Sequence, residues 1–273
     1  MIQFAPCKIN LGLSITSKRT DGYHELETVF YPVPLHDIVE IIHAPNAENK
    51  IQFTHSGIPV PGDENNNLCI KAFQLLKNNF PNLPNVQMHL HKHIPMGAGL
   101  GGGSSDATTV LKILNQIFQL HLSQEKLVEF AAQLGSDCPF FVYDTAQHAT
   151  GRGELLKPIE IDLSNYTIAL VHPQIHISTA WAFSQLHPHV KTKSISEIVK
   201  QPIPTWKQEL INDFEVPIFN SHPILAELKQ YLYREGAIYA SMSGSGSSLF
   251  GLFPKGQKLS PPTFQEDIRI DLI

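Results

Sequence analysis

At 273 residues with 42% hydrophobic side chains, the chain is long enough to bury a sizeable core in one large domain or two ordinary ones. A net charge of −5 argues against a general nucleic-acid binder, which needs a basic excess on one face, so any anion it binds is held locally. Three scattered cysteines, Cys7, Cys69 and Cys138, exclude a disulfide framework, and no apolar run nears the ~20 residues of a membrane span; a soluble cytoplasmic protein with no leader segment is expected.

The N-terminus reads as strand. In Lys8 to Leu13, alternation sets Ile9, Leu11 and Leu13 on one face and Lys8 and Asn10 together on the other. Arg19 to His24 is a turn, with Asp21-Gly22 favouring positive φ, and strands are expected over Glu25–Tyr31, Asp37–Ile42 and Ile51–Thr54. After a loop rich in proline, glycine and asparagine, Leu68, Ala72, Leu75 and Leu76 mark a helix ended by Pro81. Val86, Met88, Leu90 and Ile94 then alternate with His89, His91 and His93. Those histidines read as the wetter face of a strand rather than as a metal site, since no cysteine or acid accompanies them.

That strand enters Pro95-Met96-Gly97-Ala98-Gly99-Leu100-Gly101-Gly102-Gly103-Ser104-Ser105-Asp106. Glycine loses the most backbone entropy on ordering, so five of them in seven residues need a reason. Close approach of backbone N–H groups to a polyanion is one. A helix follows, with Ser104 or Ser105 as the expected N-cap and Ala107, Val110, Leu111, Leu114, Ile117 and Phe118 on its inner face. A glycine loop feeding a helix N-terminus is a phosphate site in principle.

A second helix is expected from Ser123 to Leu134, with Gly135 as terminator, followed by Ser136-Asp137-Cys138-Pro139. Thr150 to Glu154 and Pro158 read as a joint, Ile168–Val171 as a buried strand and Pro188–Pro204 as polar connection with at most a short helix. Ile224 to Leu232 gives a helix closed by Gly236. A strand from Ala237 to Met242, a polar turn over Ser243–Ser247 and a returning strand over Leu249–Phe253 follow. Without regular alternation of strand and helix, an α+β protein of two domains is expected.

The loop's residues alone leave several phosphate sites open. Gly97, Gly99 and Gly102 match GxGxxG, but a dinucleotide fingerprint follows a fully apolar strand and is trailed by an acid closing a second strand; here Glu125 lies in a helical pattern. A Walker loop needs a lysine, and none occurs between Lys92 and Lys112. A plain connector remains the bland alternative, although ordinary connections of this kind take about two to six residues.

The whole stretch Pro95–Ala107 resembles the ATP loop of the GHMP small-molecule kinases. Ala5-Pro6-Cys7-Lys8-Ile9-Asn10-Leu11, Asp21-Gly22-Tyr23-His24, Leu134–Phe141, Asn212-Asp213-Phe214-Glu215 and Met242–Gly246 are similar to further elements of that family, in its order and over nearly the whole chain. Within that family the chain looks specifically like the branch that phosphorylates a cytidine diphosphate polyol.

The resemblance implies a two-domain fold. An N-terminal ATP-binding domain over 1–157 and a ferredoxin-like substrate domain over 158–273 would flank a deep cleft. It implies ATP-dependent phosphorylation of the 2-hydroxyl of a cytidine-diphosphate-linked methylerythritol in the non-mevalonate route to isopentenyl diphosphate. The alternatives are a GHMP kinase for homoserine or mevalonate and, from a different class, a dinucleotide-binding oxidoreductase. ATP and Mg²⁺ are the implied cofactors, with Mg²⁺ held mainly by phosphate oxygens and water.

In this reading Asp137 is the general base, and Lys8 keeps it ionised and stabilises the attacking oxygen. Pro95, Met96, Gly97, Ala98, Gly99, Leu100, Gly101, Gly102, Gly103, Ser104 and Ser105 cradle the triphosphate, with Asn67, Leu68 and Lys92 on the adenine side. Ser104 or Ser105 is a candidate hydroxyl for Mg²⁺, while Asp106 serves only the helix dipole. On the acceptor side Asn10 bonds its hydroxyls, Tyr23 and Phe183 sandwich the cytosine with Trp181 as the substitute second aromatic, His24 reads the base edge and Thr179 sits near the diphosphate or ribose. The expected partners are these small molecules, with no nucleic acid and no membrane, and the chain is a monomer or weak homodimer. Cys7 stands where the family usually has alanine and, by alternation, faces the core.

Overall fold

The computed structural model describes residues 1–273 apart from 47–49, 187, 189–190, 258 and 261–267. The chain forms two compact units whose segments alternate along the sequence. The first takes Met1–Cys7, Pro34–Met96 and Gly101–Asp144; the second takes Lys8–Val33, Gly97–Leu100 and Thr145–Ile273. Two long strands, β1 (Ile2–Lys18) and β2 (His24–His43), supply a segment to each unit.

β2 replaces the two strands expected over Glu25–Tyr31 and Asp37–Ile42 by one of 20 residues running through Pro32 and Pro34. The prolines lie between its registers with β5 (Gln147–Thr150), which end at Phe30, and with β4 (Val86–Lys92), which begin at Ile38. Neither proline thus falls in a register with β4 or β5, where a missing N–H would remove a ladder bond. β1 also departs from simple alternation: Cys7 to Ile15 are buried on both faces, so Lys8 and Asn10 lie inside rather than in water. That burial is sustained by the hydrogen bonds described below.

In the first unit β4 lies between β2, antiparallel, and β3 (Ile51–Gly57), parallel. The inner face of this sheet, with Val39, Ile41, Met88 and Leu90, packs on α1 (Leu68–Asn79), α2 (Gly102–Ile117) and α3 (Gln124–Leu134) through Phe73, Leu76, Val110, Leu114 and Phe130. The outer face of β4 carries His89, whose ring nitrogens bond the Thr54 and Ser56 hydroxyls at 2.8 and 2.9 Å, and His91, which bonds Ser56 at 2.9 Å. α1 starts at Asn67, whose side chain accepts from the Cys69 N–H, and α3 at Ser123, which accepts from Lys126 N–H. A one-turn helix, α4 (Phe140–Tyr143), closes the unit.

The serine cap expected for α2 is corrected by the structure. The N-cap is Gly101, at φ +71°, and Ser104 and Ser105 lie within the first turn. The chain enters the helix from a left-handed residue that L side chains adopt only at a cost, so glycine takes the cap three residues before serine chemistry would place it.

In the second unit β5 pairs with β2, and β6 (Leu155–Pro158) folds back on β5. A separate antiparallel sheet has the order β10-β7-β9-β8, formed by β7 (Tyr166–His172), β8 (Tyr239–Met242), β9 (Leu249–Pro254) and β10 (Arg269–Leu272). Numbered within that sheet the order is 4-1-3-2, the split arrangement of a ferredoxin-like domain. Between β7 and β8 come α5 (Thr179–Ser184), α6 (Ile195–Ile198), α7 (Ile203–Glu209), α8 (Glu215–Ser221) and α9 (Pro223–Arg234). Phe214, Ile218, Leu228 and Leu232 cover Val171, Met242 and Phe253 in the core. The expected connector over 188–204 thus contains α6, opened by a Ser194–Glu197 capping box, and the start of α7.

Candidate active site

The glycine loop is shaped by what lies under it. Ala98 and Leu100 are buried and their carbonyls accept from Ser248 N–H at 3.1 Å and Lys8 N–H at 2.9 Å. Between them Gly99 has φ +78°, and a Cβ there would sit 2.0 Å from the Ser243 carbonyl oxygen. Glycine at this position is therefore required by the protein itself, before any ligand arrives. Gly102, Gly103 and Ser104 open α2, where the first N–H groups lack intrahelical partners and the macrodipole is positive. Ser105 Oγ in the same turn is buried and has no hydrogen-bond partner.

The loop is tied directly to Lys8, whose backbone bonds Leu100 and whose ammonium donates to Asn10 Oδ1 at 2.7 Å. The Lys8 ammonium also lies 4.9 Å over the Phe30 ring. Asn10 Nδ2 donates to Thr28 Oγ1 at 3.0 Å, and Thr28 donates to the Gly12 carbonyl at 2.5 Å, so the amide is locked. Cys7 is fully buried, as its strand parity predicts.

Asp137 sits half-buried in the turn between α3 and α4. The turn is pinned to α2 by Thr108 Oγ1, which lies 2.9 Å from both the Ser104 and the Cys138 carbonyl oxygens. Burial pushes the adjacent Cys138 thiol up to about 11, so it is neutral and unreactive at physiological pH.

A pocket of about 260 Å³ in the first unit is lined by Phe53, Val60, Asn67, Leu68, Cys69, Leu90, Lys92, Met96, Gly103 and Asp106. It brings together Asn67, Leu68 and Lys92 with one end of the glycine loop. The Lys92 ammonium is engaged in an ion pair with Asp37 and, at 2.8 Å, with Asp106. Asp37 Oδ1 also accepts from His93 N–H at 2.6 Å and Ile94 N–H at 2.8 Å, which fixes the chain as it enters the loop. Asp106 is therefore no mere helix-dipole residue: it is 2% exposed and shares one ammonium with a second carboxylate. Desolvation raises its pKa to about 8, opposed by Lys92 and reinforced by Asp37.

Asp37 escaped the sequence reading. The signal was present: Val33, Leu35, Asp37, Val39 and Ile41 occupy one buried parity of β2, and an acid there needs a partner.

In the second unit Tyr23 is 56% exposed, its N–H held by Asp21 Oδ1 at 3.1 Å, and Arg152 lies 4.9 Å over its ring. His24 stacks on Phe183, and Phe183 meets Phe214 edge-on at 4.9 Å. Burial, then Lys18, lowers the His24 pKa, which favours its neutral ring. Trp181 packs against His222 instead. Thr179 opens α5, its hydroxyl 3.4 Å from Ser245 Oγ.

The family model for the GHMP kinases N terminal domain matches residues 67–145 and that for the GHMP kinases C terminal matches 196–260. A 4-diphosphocytidyl-2-C-methyl-D-erythritol kinase of Bacteroides fragilis is 49% identical over 97% of this chain and 96% of its own. The chain belongs to the 4-diphosphocytidyl-2-C-methyl-D-erythritol kinase family of GHMP kinases. A crystal structure of 4-(cytidine 5′-diphospho)-2C-methyl-D-erythritol kinase superposes with TM-score 0.80 at 32% identity, covering 92% of this chain and 90% of that one. The Methanococcus jannaschii mevalonate kinase, at 13% identity and TM-score 0.72 over 100% and 97% of the two chains, shares the fold.

As a GHMP kinase the chain is an ATP-dependent phosphotransferase. The N-terminal family model spans both the glycine loop and Asp137, and the C-terminal one spans Asn212–Glu215 and the turn after β8. Among the described residues no group of three His, Cys, Asp or Glu is arranged to hold a metal ion, and no helix is long and apolar enough to cross a membrane.

Proposed function

We propose that this kinase transfers the γ-phosphoryl group of ATP to the 2-hydroxyl of 4-(cytidine 5′-diphospho)-2-C-methyl-D-erythritol. The observation that carries the reading is the single framework joining Lys8, Asn10 and the glycine loop: one strand supplies the ammonium and the amide, and its backbone bonds the Leu100 carbonyl. Phosphoryl transfer needs positioning and charge neutralisation more than covalent chemistry, and this framework serves both.

In the proposed mechanism the loop N–H groups and the N-terminus of α2 hold the triphosphate. Asp137 accepts the proton of the attacking hydroxyl, a role worth about 10²–10⁴ in rate. Lys8 stabilises charge on that oxygen. The residues Pro95 to Ser105, with Asn67 and Lys92, form the ATP side; Asn10, Tyr23, His24, Thr179 and Phe183 form the acceptor side. Mg²⁺ belongs to the proposal: it would neutralise triphosphate charge, and the orphaned Ser105 hydroxyl is the protein oxygen suited to face it. The division at 157 and 158 is proposed as the functional domain boundary, supported by the two family models falling on either side. A monomeric or weakly dimeric cytoplasmic enzyme completes the reading.

A coupled ADP-release assay tests it, with the cytidine diphosphate acceptor beside homoserine and mevalonate. Turnover with the first alone supports the reading; ATP-analogue binding without turnover of that acceptor overturns it.

A further inference from the structure

Asn212-Asp213-Phe214-Glu215 and the turn after β8 carry no role in the mechanism above, yet both reach the catalytic strand: Asp213 bonds Leu13 and Ile15, and the turn bonds Asn10 through Ser243. Ser243 is fully buried. Its hydroxyl lies 2.9 Å from the Gly99 carbonyl oxygen, 3.3 Å from the Asn10 backbone nitrogen and 3.4 Å from Asn10 Oδ1. A hydroxyl has a single proton to give. Asn10 Oδ1 already accepts from the Lys8 ammonium at 2.7 Å, so the geometry assigns the proton to Gly99 and leaves the oxygen accepting from Asn10 N–H.

The turn that presents this hydroxyl is held on every side. Asn212 Nδ2 donates to the Met242 and Gly244 carbonyls, both at 2.8 Å, gripping the peptides that flank Ser243. Ser243 N–H bonds the Ser248 carbonyl at 2.9 Å, and Glu215 Oε1 accepts from Met242 N–H at 2.9 Å. Glu215 is in turn paired with Lys229 at 2.6 Å. The carbonyl of Ser243 is also the atom that a Cβ on Gly99 would strike.

We infer that Ser243 is a positioning residue of the kinase: its hydroxyl sets the strand that bears Lys8 and Asn10 against the phosphate-binding loop at Gly99, and Asn212 and Glu215 hold it in place. Such a part acts on the relative placement of reacting groups rather than on the affinity for either substrate. A misplacement of about 1 Å costs on the order of 10² in rate.

The activity readout rests on the kinase reading. Ser243→Ala is expected to lower kcat about tenfold while KM for ATP and for the acceptor each stay within about threefold. Where Ser243→Ala is too unstable to assay, Ser243→Cys, which fills the same volume, takes its place with the same outcomes. A kcat within twofold of wild type overturns the inference. Amide exchange at Lys8, whose N–H bonds Leu100, is read without any acceptor: it is expected to quicken in Ser243→Ala, and unchanged exchange overturns the junction. Absent turnover in wild type counts against the functional reading alone, since the exchange result stands by itself.

Discussion

The ring of His24 lies on that of Phe183, with 5.2 Å between centroids and 26° between planes. One face of Phe183 is therefore covered by a neutral imidazole, and its ring meets Phe214 edge-on. In the proposed function a base stacked on Phe183 takes the other face of the ring or displaces His24. Stacking a base on an aromatic face is worth about 1–3 kcal/mol, so Phe183→Ala is expected to raise the acceptor KM by about 5- to 150-fold with little change in KM for ATP. Trp181→Ala, altering a ring that packs on His222, is expected to leave the acceptor KM within about twofold. Initial-rate kinetics with each substrate varied in turn check both.

Asp106 gives a pH dependence of known sign. Its pKa, raised by burial from 3.8 to about 8, lies above the unfolded value, so the folded protein holds this proton more tightly. The associated stability is full below about pH 4 and is lost as pH rises toward 8. The Tm of wild type relative to Asp106→Asn is therefore expected to fall between about pH 4 and 8, since the amide cannot ionise. Calorimetry of both proteins across that range reads the difference; parallel curves contradict the assignment.

Two glycines of the loop separate fold from ligand. Gly99→Ala forces a left-handed residue with its Cβ into the Ser243 carbonyl, and is expected to reduce kcat/KM for ATP at least tenfold and to lower Tm. Gly103 is helical, and the nearest atom to an added Cβ is Leu68 Cδ1 at 3.9 Å. Gly103→Ala is expected to stabilise α2 by up to about 1 kcal/mol while raising KM for ATP, because the methyl takes room beside the bound nucleotide. Thermal melts and ATP titrations of the pair distinguish the two effects.

Thr108 positions Asp137 indirectly, holding the Cys138 carbonyl against α2. Thr108→Val keeps the shape and removes the hydroxyl. It is expected to cost about 0.5–1.5 kcal/mol in stability for the lost hydrogen bond, since Phe141 N–H still bonds the Cys138 carbonyl, and to lower kcat several-fold without shifting either KM. Denaturant unfolding and steady-state rates check it.

Much of this was legible in the sequence where local chemistry decides. Ser123 caps a helix because a short acceptor side chain meets a free N–H within a few residues, and the glycine loop betrays itself by composition, whereas the same capping logic pointed to serine where Gly101 opens α2. The pairing of Lys8 with Asn10 follows from strand parity alone. What parity could not give is that both faces of β1 are covered, since that depends on what packs against them. Pro32 and Pro34 read as a break because the sequence does not say that the pairing partners change between them. The Asp37–Lys92–Asp106 cluster joins positions up to 69 apart in sequence, and no local pattern links them. α6 and β10, at four residues each, carry too little periodicity to stand out.

Asp137→Asn tests the central claim most directly, because the amide keeps the shape of the turn and removes the proposed base. With ATP and 4-(cytidine 5′-diphospho)-2-C-methyl-D-erythritol, wild type is expected to release ADP in step with formation of one new phosphomonoester seen by phosphorus NMR. In the variant that rate is expected to fall by about 10²–10⁴ while ATP-analogue binding is retained. A variant that turns over within a few-fold of wild type, or a wild type that binds the analogue and forms no phosphomonoester, contradicts it.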